Sequence, residues 1–373
     1  MKDHKHIIIA GGKTGGHLFP GIAVAQTVQA LDPEAKILFV GTNAPFETGT
    51  LARHGFDHKA IISRPVKGGS LLSKTWSSAL VLISIIQAMY IILRFRADFI
   101  LGVGGFSSFA LVAAGRLLFR KTAIQEQNAI PGMTNRMLSR IAHTIFISFK
   151  ETKGMPVNHK TILSGNPIRR SSASSKVTEA PVLELAGPKD FIILVTGGSQ
   201  GAGSINKAFM EAADMMEDTD NLYILHQTGE LDVAETSDFY KKKNLKASAR
   251  AFFHDMPTLQ RRADLVITRA GASTLSELTV KGKPAVLVPF PHAADDHQTA
   301  NAKNLADHGA ALMIADKDLT GRALYTMIQD LRTHPKKLEQ MGKAMAELAR
   351  PKGADIIAWH ILGPNTQADK GDN

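Results

Sequence analysis

What most constrains this chain is a rhythm. A short run of branched apolar residues, then glycine or a turn, then a helical stretch, recurs along most of its length. The runs occupy residues 7–10, 37–40, 99–101, 122–124, 145–147 and 161–163, and then 191–195, 222–225, 265–267, 285–288 and 312–314. A strand that is apolar throughout has no solvent face, so it belongs in a parallel sheet covered by helices on both sides. Two such series in tandem predict an α/β protein of two Rossmann-like, doubly wound domains. The 373 residues suffice for this, at roughly 150 residues per domain.

Gly165-Asn166-Pro167 leads into the polar run Arg169-Arg170-Ser171-Ser172-Ala173-Ser174-Ser175, which lacks apolar periodicity. The boundary is expected there, giving domains over 1–166 and 167–345. A last helical stretch over residues 336–362 is expected to cross back onto the first domain through its end, 346–362. The polar tail, 363–373, is expected to be disordered.

Glycine clusters follow four of the runs. Gly11-Gly12-Lys13-Thr14-Gly15-Gly16-His17 opens a helix. It imitates the end of a Walker A loop, but that motif needs glycine at position 7, which is Ile7. What remains is a strand, a glycine loop and a helix N-terminus, whose free N–H groups and dipole favour an anion. A tight turn requiring positive φ is the competing explanation. Gly102-Val103-Gly104-Gly105, Thr196-Gly197-Gly198-Ser199-Gln200-Gly201 and Arg269-Ala270-Gly271-Ala272-Ser273-Thr274 repeat the pattern. Open α/β sheets bind ligands at the carboxyl ends of their strands, so repeated glycine loops there fit a ligand with several phosphates. Thr274 and Glu277 also match a helix capping box, leaving Glu277 either a cap or a carboxylate for a ribose diol. Arg169 is either a phosphate clamp or a solvated linker residue.

These motifs, in order, resemble the MurG family of peripheral membrane N-acetylglucosaminyltransferases of peptidoglycan synthesis. The residues carrying the resemblance run from the His17 loop with Pro20-Gly21, through Gly104-Gly105-Phe106 and Gln125-Glu126-Gln127-Asn128, to Gly197–Ala202, Arg269–Glu277 and His297-Gln298. It covers residues 7–360. It implies a GT-B fold, two Rossmann-like domains with a cleft between them. It also implies transfer of N-acetylglucosamine (GlcNAc) from its UDP donor to C4 of the muramoyl unit of undecaprenyl-pyrophosphoryl-muramoyl-pentapeptide (lipid I), giving lipid II. Other UDP-sugar enzymes of this fold, such as a glycolipid transferase or a UDP-GlcNAc 2-epimerase, are the alternative.

The resemblance places donor contacts at Ser199 and Arg169 (phosphates), the backbone of Phe253 (uracil), and Ala272, Ser273, Thr274, Leu275 and Ser276 (phosphate loop). Glu277 would take the ribose diol. Gln298, Asn128, Thr14, Gly15 and Gly16 would contact the sugar. Lys13, with Gly104 and Gly105, is expected at the acceptor pyrophosphate; Lys13 stands where the family usually has glycine. No Asp-x-Asp pair sits at a strand end, so no metal and no cofactor are expected. His17 is the first candidate for the general base, because an imidazole titrates near pH 6.5. Glu126 is the second. An orienting role is the alternative for His17.

Residues 76–93 are uncharged over 18 positions, broken only by Ser77, Ser78, Ser84 and Gln87. As a helix this is about 27 Å long, barely a bilayer's apolar thickness. Spanning is not expected, because the strand at 99–101 must return to the same sheet. The reading is a helix half in the domain and half at the membrane surface, touching it through Trp76, Leu80, Ile83, Ile86 and Tyr90; core burial is the alternative.

Charge supports that reading. The formal net is +10 (44 Lys+Arg, 34 Asp+Glu), but residues 1–166 hold 19 basic and 8 acidic residues, +11, and the remainder 25 and 26, −1. The excess shares a half with the apolar helix, so an anionic membrane surface is the expected partner. Nucleic acid is not: aromatics are only 6%, and no RNP-like or helix-turn-helix signature is present. Zero cysteines fit a reducing compartment. No signal-peptide apolar region precedes the first glycine cluster, so the expected location is peripheral, on the cytoplasmic face of a bacterial plasma membrane.

Overall fold

The computed structural model describes residues 4–12, 14–62, 71–169 and 181–363, apart from the side chains of 71–79 and 181. Lys13, the run 170–175 and the tail 364–373 lie outside the described residues, as does the Trp76 side chain. The chain forms two compact units, Met1–Arg170 with Arg350–Asn373, and Ser171–Ala349.

The first unit is a parallel sheet of seven strands: β1 (His6–Ala10), β2 (Lys36–Gly41), β3 (Asp57–Ala60), β4 (Phe99–Gly102), β5 (Lys121–Glu126), β6 (Thr144–Ile147) and β7 (Thr161–Leu163). Their order is β3-β2-β1-β4-β5-β6-β7. Its helices are α1 (Gly15–Leu31), α2 (Pro45–Arg53), α3 (Leu71–Phe95), α4 (Phe106–Leu117) and α5 (Met133–Leu138). Side chains alternate across a strand, and β1 shows the consequence. Ile7 and Ile9 join the core beneath α1, while Ile8 and Ala10 join the core beneath α3 and α4. All four are fully buried.

The second unit repeats the plan with β8 (Phe191–Thr196), β9 (Leu222–Gln227), β10 (Ala247–Arg250), β11 (Leu265–Thr268), β12 (Ala285–Leu287) and β13 (Ala311–Met313), ordered β10-β9-β8-β11-β12-β13. Its helices are α6 (Gly203–Asp214), α7 (Val233–Lys242), α8 (Met256–Arg262), α9 (Ala272–Lys281), α10 (His297–Ala306), α11 (Gly321–Thr333) and α12 (Pro335–Glu347). The chain then re-enters the first unit with α13 (Gly353–Leu362). Ile357, Ala358 and Ile361 there share a core with Ile7, Ile9 and Val24. The helical stretch expected over 336–362 is therefore two helices. Pro351 stands in the break; it lacks an N–H, and its ring blocks a continuous helix.

A local repeat marks the kinship of the two sheets. Arg96-Ala97-Asp98 precedes β4 and Arg262-Ala263-Asp264 precedes β11. Asp98 accepts the N–H of His6 at 2.9 Å and Asp264 that of Ile192 at 2.7 Å, so each carboxylate fixes the start of its unit's first strand.

α3 is half core and half surface. Ile85, Ala88, Met89, Ile91 and Ile92 pack inward. Ser84 donates to the carbonyl of Ile62 and Gln87 accepts the N–H of Ile62 at 3.0 Å, so two polar interruptions of the apolar run serve the backbone after β3. Leu80 is half-buried, while Ile83, Ile86 (65%), Tyr90 (67%), Leu82 and Leu93 are exposed. Among the described residues no helix is long and apolar enough to cross a membrane.

Candidate active site

In the first unit the β1–α1 and β4–α4 loops meet at the carboxyl edge of the sheet. Buried Ser108 of α4 joins them: its hydroxyl accepts the N–H of Gly104 at 3.0 Å and lies within hydrogen-bond distance of the Ala10 carbonyl. His17, in the first turn of α1, rests over Gly104, which has φ of +111°. A Cβ at that glycine would come within 2.8 Å of His17 Nε2 and Cδ2, so only glycine lets the two loops close. Nδ1 of His17 faces the Thr14 hydroxyl at 3.4 Å. Thr14 and Gly16 are exposed, and Gly15 and Gly105 partly so.

Glu126, the last residue of β5, is 1% exposed. Its Oε1 accepts from the N–H (2.9 Å) and side-chain amide (3.3 Å) of Asn128; its Oε2 accepts from Gly132 N–H (3.2 Å) and Asn135 Nδ2 (2.8 Å). Burial raises its pKa, against the pull of those donors from Asn128, Asn135 and Gly132. A carboxylate saturated with donors and closed to solvent is built to position Asn128 and the loop after it. That arrangement does not suit the second-choice base expected from sequence.

Arg169, expected at a donor phosphate, is exposed and lies with the first unit, its guanidinium 4.8 Å over the Phe19 ring. Its charge, after burial, helps lower the pKa of His54.

The other donor candidates sit at the carboxyl edge of the second sheet. The β8–α6 loop carries exposed Ser199. It is held by Gln227, whose Nε2 donates to Gly198 O at 2.8 Å. Gly201 has φ of +76°, and a Cβ there would fall 1.8 Å from the Thr228 carbonyl oxygen, so the loop closes against β9 only with glycine. Gln227 Oε1 accepts the Phe253 N–H at 2.9 Å. The amide hydrogen of Phe253, expected at uracil, is thus committed within the protein, and its side chain is buried.

α9 begins at Ala272 with Gly271 as N-cap. The capping box suggested for Thr274 and Glu277 does not form, because the helix starts two residues before Thr274. Glu277 is instead a half-buried helical carboxylate taking one hydrogen bond from Gln260 at 3.1 Å, and Gln260 is gripped by Lys281 at 2.7 Å. Ala272 and Leu275 are buried in the core, so only their backbone can face a ligand. Ser276 donates to Ala272 O at 2.9 Å. Ser273 Oγ, in the first helical turn, is buried without a partner, an orphan hydroxyl where helix N–H groups favour an anion. Gln298 accepts the Phe290 N–H through Oε1 at 2.9 Å.

Sequence reasoning missed the brace beneath α9. Arg269 donates to Asp316 (2.5 Å), to Ser204 (2.9 Å) and to the carbonyls of Val288 and Pro289 (3.2 Å each). Burial presses Asp316 upward, but hydrogen bonds from Ser204 and Arg269 outweigh it and hold the pKa low. Asn301, fully buried, donates to Ala270 O at 3.2 Å. No sequence spacing announces partners this far apart.

Residues 7–147 match the glycosyltransferase family 28 N-terminal domain, and residues 192–357 its C-terminal domain. The chain belongs to glycosyltransferase family 28, in the MurG group. It is 40% identical over 353 residues to a Myxococcus xanthus protein, covering 94% of this chain and 91% of that one. It is 43% identical over 352 residues to one from Syntrophus aciditrophicus, covering 94% and 96%. Both are named UDP-N-acetylglucosamine–N-acetylmuramyl-(pentapeptide) pyrophosphoryl-undecaprenol N-acetylglucosamine transferase. The crystal structure of Acinetobacter baumannii MurG superposes with a TM-score of 0.78 at 30% identity, covering 96% of this chain and 99% of that one. The UDP-GlcNAc 2-epimerase of Neisseria meningitidis is alike in fold alone, at 12% identity and a TM-score of 0.69. The two parallel-sheet units are those of a GT-B glycosyltransferase.

Proposed function

We propose that this chain moves GlcNAc from UDP-GlcNAc to the C4 hydroxyl of the muramoyl unit of lipid I, producing lipid II for peptidoglycan. The observation that carries the reading is near full-length similarity to enzymes named for that reaction. The 2-epimerase alternative rests on fold likeness only.

In this reading the second unit holds the donor. The Ser199 loop and the first turn of α9, with the unpartnered Ser273 hydroxyl, take the pyrophosphate; their N–H groups carry the charge that develops on departing UDP. Glu277 takes the ribose diol, and the side-chain amide of Gln298 the sugar. In the first unit Asn128, held by Glu126, and residues 14–16 serve the sugar, with Gly104, Gly105 and Lys13 at the acceptor pyrophosphate. His17 takes the proton from the C4 hydroxyl as that oxygen attacks the anomeric carbon. The bond to UDP breaks in the same step, so an α-linked donor yields a β-linked product.

The exposed α3 face and the basic first unit support docking on an anionic membrane surface, on the cytoplasmic side where a nucleotide donor is available. No divalent ion and no cofactor are assigned a part. Labelled UDP-GlcNAc incubated with lipid I, with and without EDTA, tests this. Label should enter the lipid in both, and transfer abolished by EDTA would overturn the metal-free reading.

A further inference from the structure

Between Glu126 and Asn128 stands Gln127, 2% exposed. Its Nε2 donates to the Val103 carbonyl at 2.8 Å. That carbonyl is the first beyond the ladder of β4 and β5, whose last pair is Gly102 with Ile124. β4 stops there to form its glycine loop while β5 runs on to Glu126, so a side-chain amide takes over where strand pairing ends. Val103 also donates its own N–H to the Ala10 carbonyl at 2.9 Å. It is thus held by the end of β1 on one side and by Gln127 on the other. The residue fixed in this way immediately precedes Gly104, against which His17 rests.

The other end of the amide argues that this hold does not serve stability. Gln127 Oε1 is buried without a partner. A buried acceptor left unsatisfied is costly, and a methionine of similar length would fill the same space without that cost. A polar group retained on such terms points to a constraint other than stability. The main chain supplies one. Asn128 follows directly, and its N–H and side-chain amide are held by Glu126 at 2.9 and 3.3 Å. Gln127 therefore joins the proposed sugar contact, through its backbone, to the loop that seats the proposed base, through its side chain.

We infer that Gln127 is a positioning residue that fixes the separation of Asn128 and His17. It thereby sets how far the sugar's anomeric carbon lies from the group that deprotonates the acceptor hydroxyl. The inference rests on the transferase reading and deepens it. Without the amide, Val103 is held from the β1 side alone and Gly104 no longer backs the imidazole. A misplacement of about 1 Å is enough to cost roughly a hundredfold in rate. The donor loops of the second unit are untouched.

The test uses the full chain as wild type, Gln127→Met, Gly104→Ala and the double variant. Four quantities are measured: kcat for transfer to detergent-solubilised lipid I, UDP affinity, melting temperature and the His17 ring resonances. Gln127→Met should lose at least tenfold in kcat, with UDP affinity within about twofold of wild type. Its melting temperature should not fall. The His17 resonances should shift, while those of His226, in the other unit, stay in place. The double variant should be no slower than about the worse single variant, because both changes act through one loop. Wild-type kcat in Gln127→Met, unshifted His17 resonances, or losses that multiply in the double variant overturn the inference. So does a lower melting temperature with equal losses in kcat and UDP affinity, which assigns Gln127 a structural role. A wild type that binds UDP but transfers no GlcNAc overturns the transferase reading and this inference with it. A wild type that transfers, matched by Gln127→Met, overturns this inference alone.

Discussion

The imidazole of His17 lies against Gly104 so closely that a β-carbon on residue 104 would reach within 2.8 Å of its Nε2. One glycine therefore sets the position of the proposed base, and it does so from a loop 87 residues away in the chain. Gly104→Ala adds both that clash and a methyl at φ of +111°. The variant should lose at least tenfold in kcat while UDP affinity stays within about twofold, since the donor loops belong to the other unit. Equal losses in kcat and UDP affinity would indicate general disruption instead. His17→Ala should show the same split.

Glu277 makes a second, independent prediction. As a ribose ligand it should discriminate 2′-deoxy-UDP from UDP, because a charge-assisted hydrogen bond is worth about 1.5–3 kcal/mol, roughly tenfold or more. Glu277→Ala should weaken UDP about tenfold and abolish that discrimination. Calorimetry with both nucleotides checks it, and discrimination that survives in the variant would remove Glu277 from the diol.

His226 links stability to pH. It is buried, with its pKa lowered by burial to about 3. Nδ1 accepts from the Tyr240 hydroxyl at 2.7 Å, and Nε2–H donates to Asn206 Oδ1 at 3.0 Å. Between pH 6.5 and 3 the unfolded chain binds a proton that the folded chain refuses. Its contribution is therefore complete above pH 6.5 and is lost as pH falls, by about 1.4 kcal/mol per unit. Denaturation midpoints of the wild type from pH 7.5 to 4.5 should fall more steeply than those of His226→Gln. Equal slopes would show that another group governs the acid side.

The exposed α3 stripe predicts that Ile86→Glu releases the protein from phosphatidylglycerol vesicles without changing its melting temperature. Burying an isoleucine side chain is worth roughly 1.5–3 kcal/mol, so partitioning should drop at least tenfold. Unchanged partitioning would assign the stripe another partner.

Much of the fold was legible because a buried parallel strand must be apolar on both faces. Eleven runs read that way are strands, but β3 (Asp57-His58-Lys59-Ala60) and β10 (Ala247-Ser248-Ala249-Arg250) gave no such signal. Both are edge strands whose side chains are exposed or half-buried, which leaves them free to be polar; the opposite edge strands, β7 and β13, kept apolar runs. At the site the glycine loops announced themselves, since only glycine permits the close approaches at Gly104 and Gly201. The braces did not. Arg269 meets Ser204 and Asp316, and Gln227 meets Phe253, across sequence separations that carry no pattern. The apparent capping box at Thr274 misled because Gly271 starts α9 earlier, freeing Glu277 for another role.

The most direct test of the central claim is UDP release from UDP-GlcNAc measured with and without lipid I. The account predicts release only with lipid I present, one UDP for each β-linked GlcNAc appearing on the lipid. Sustained UDP release in the absence of any acceptor would contradict it.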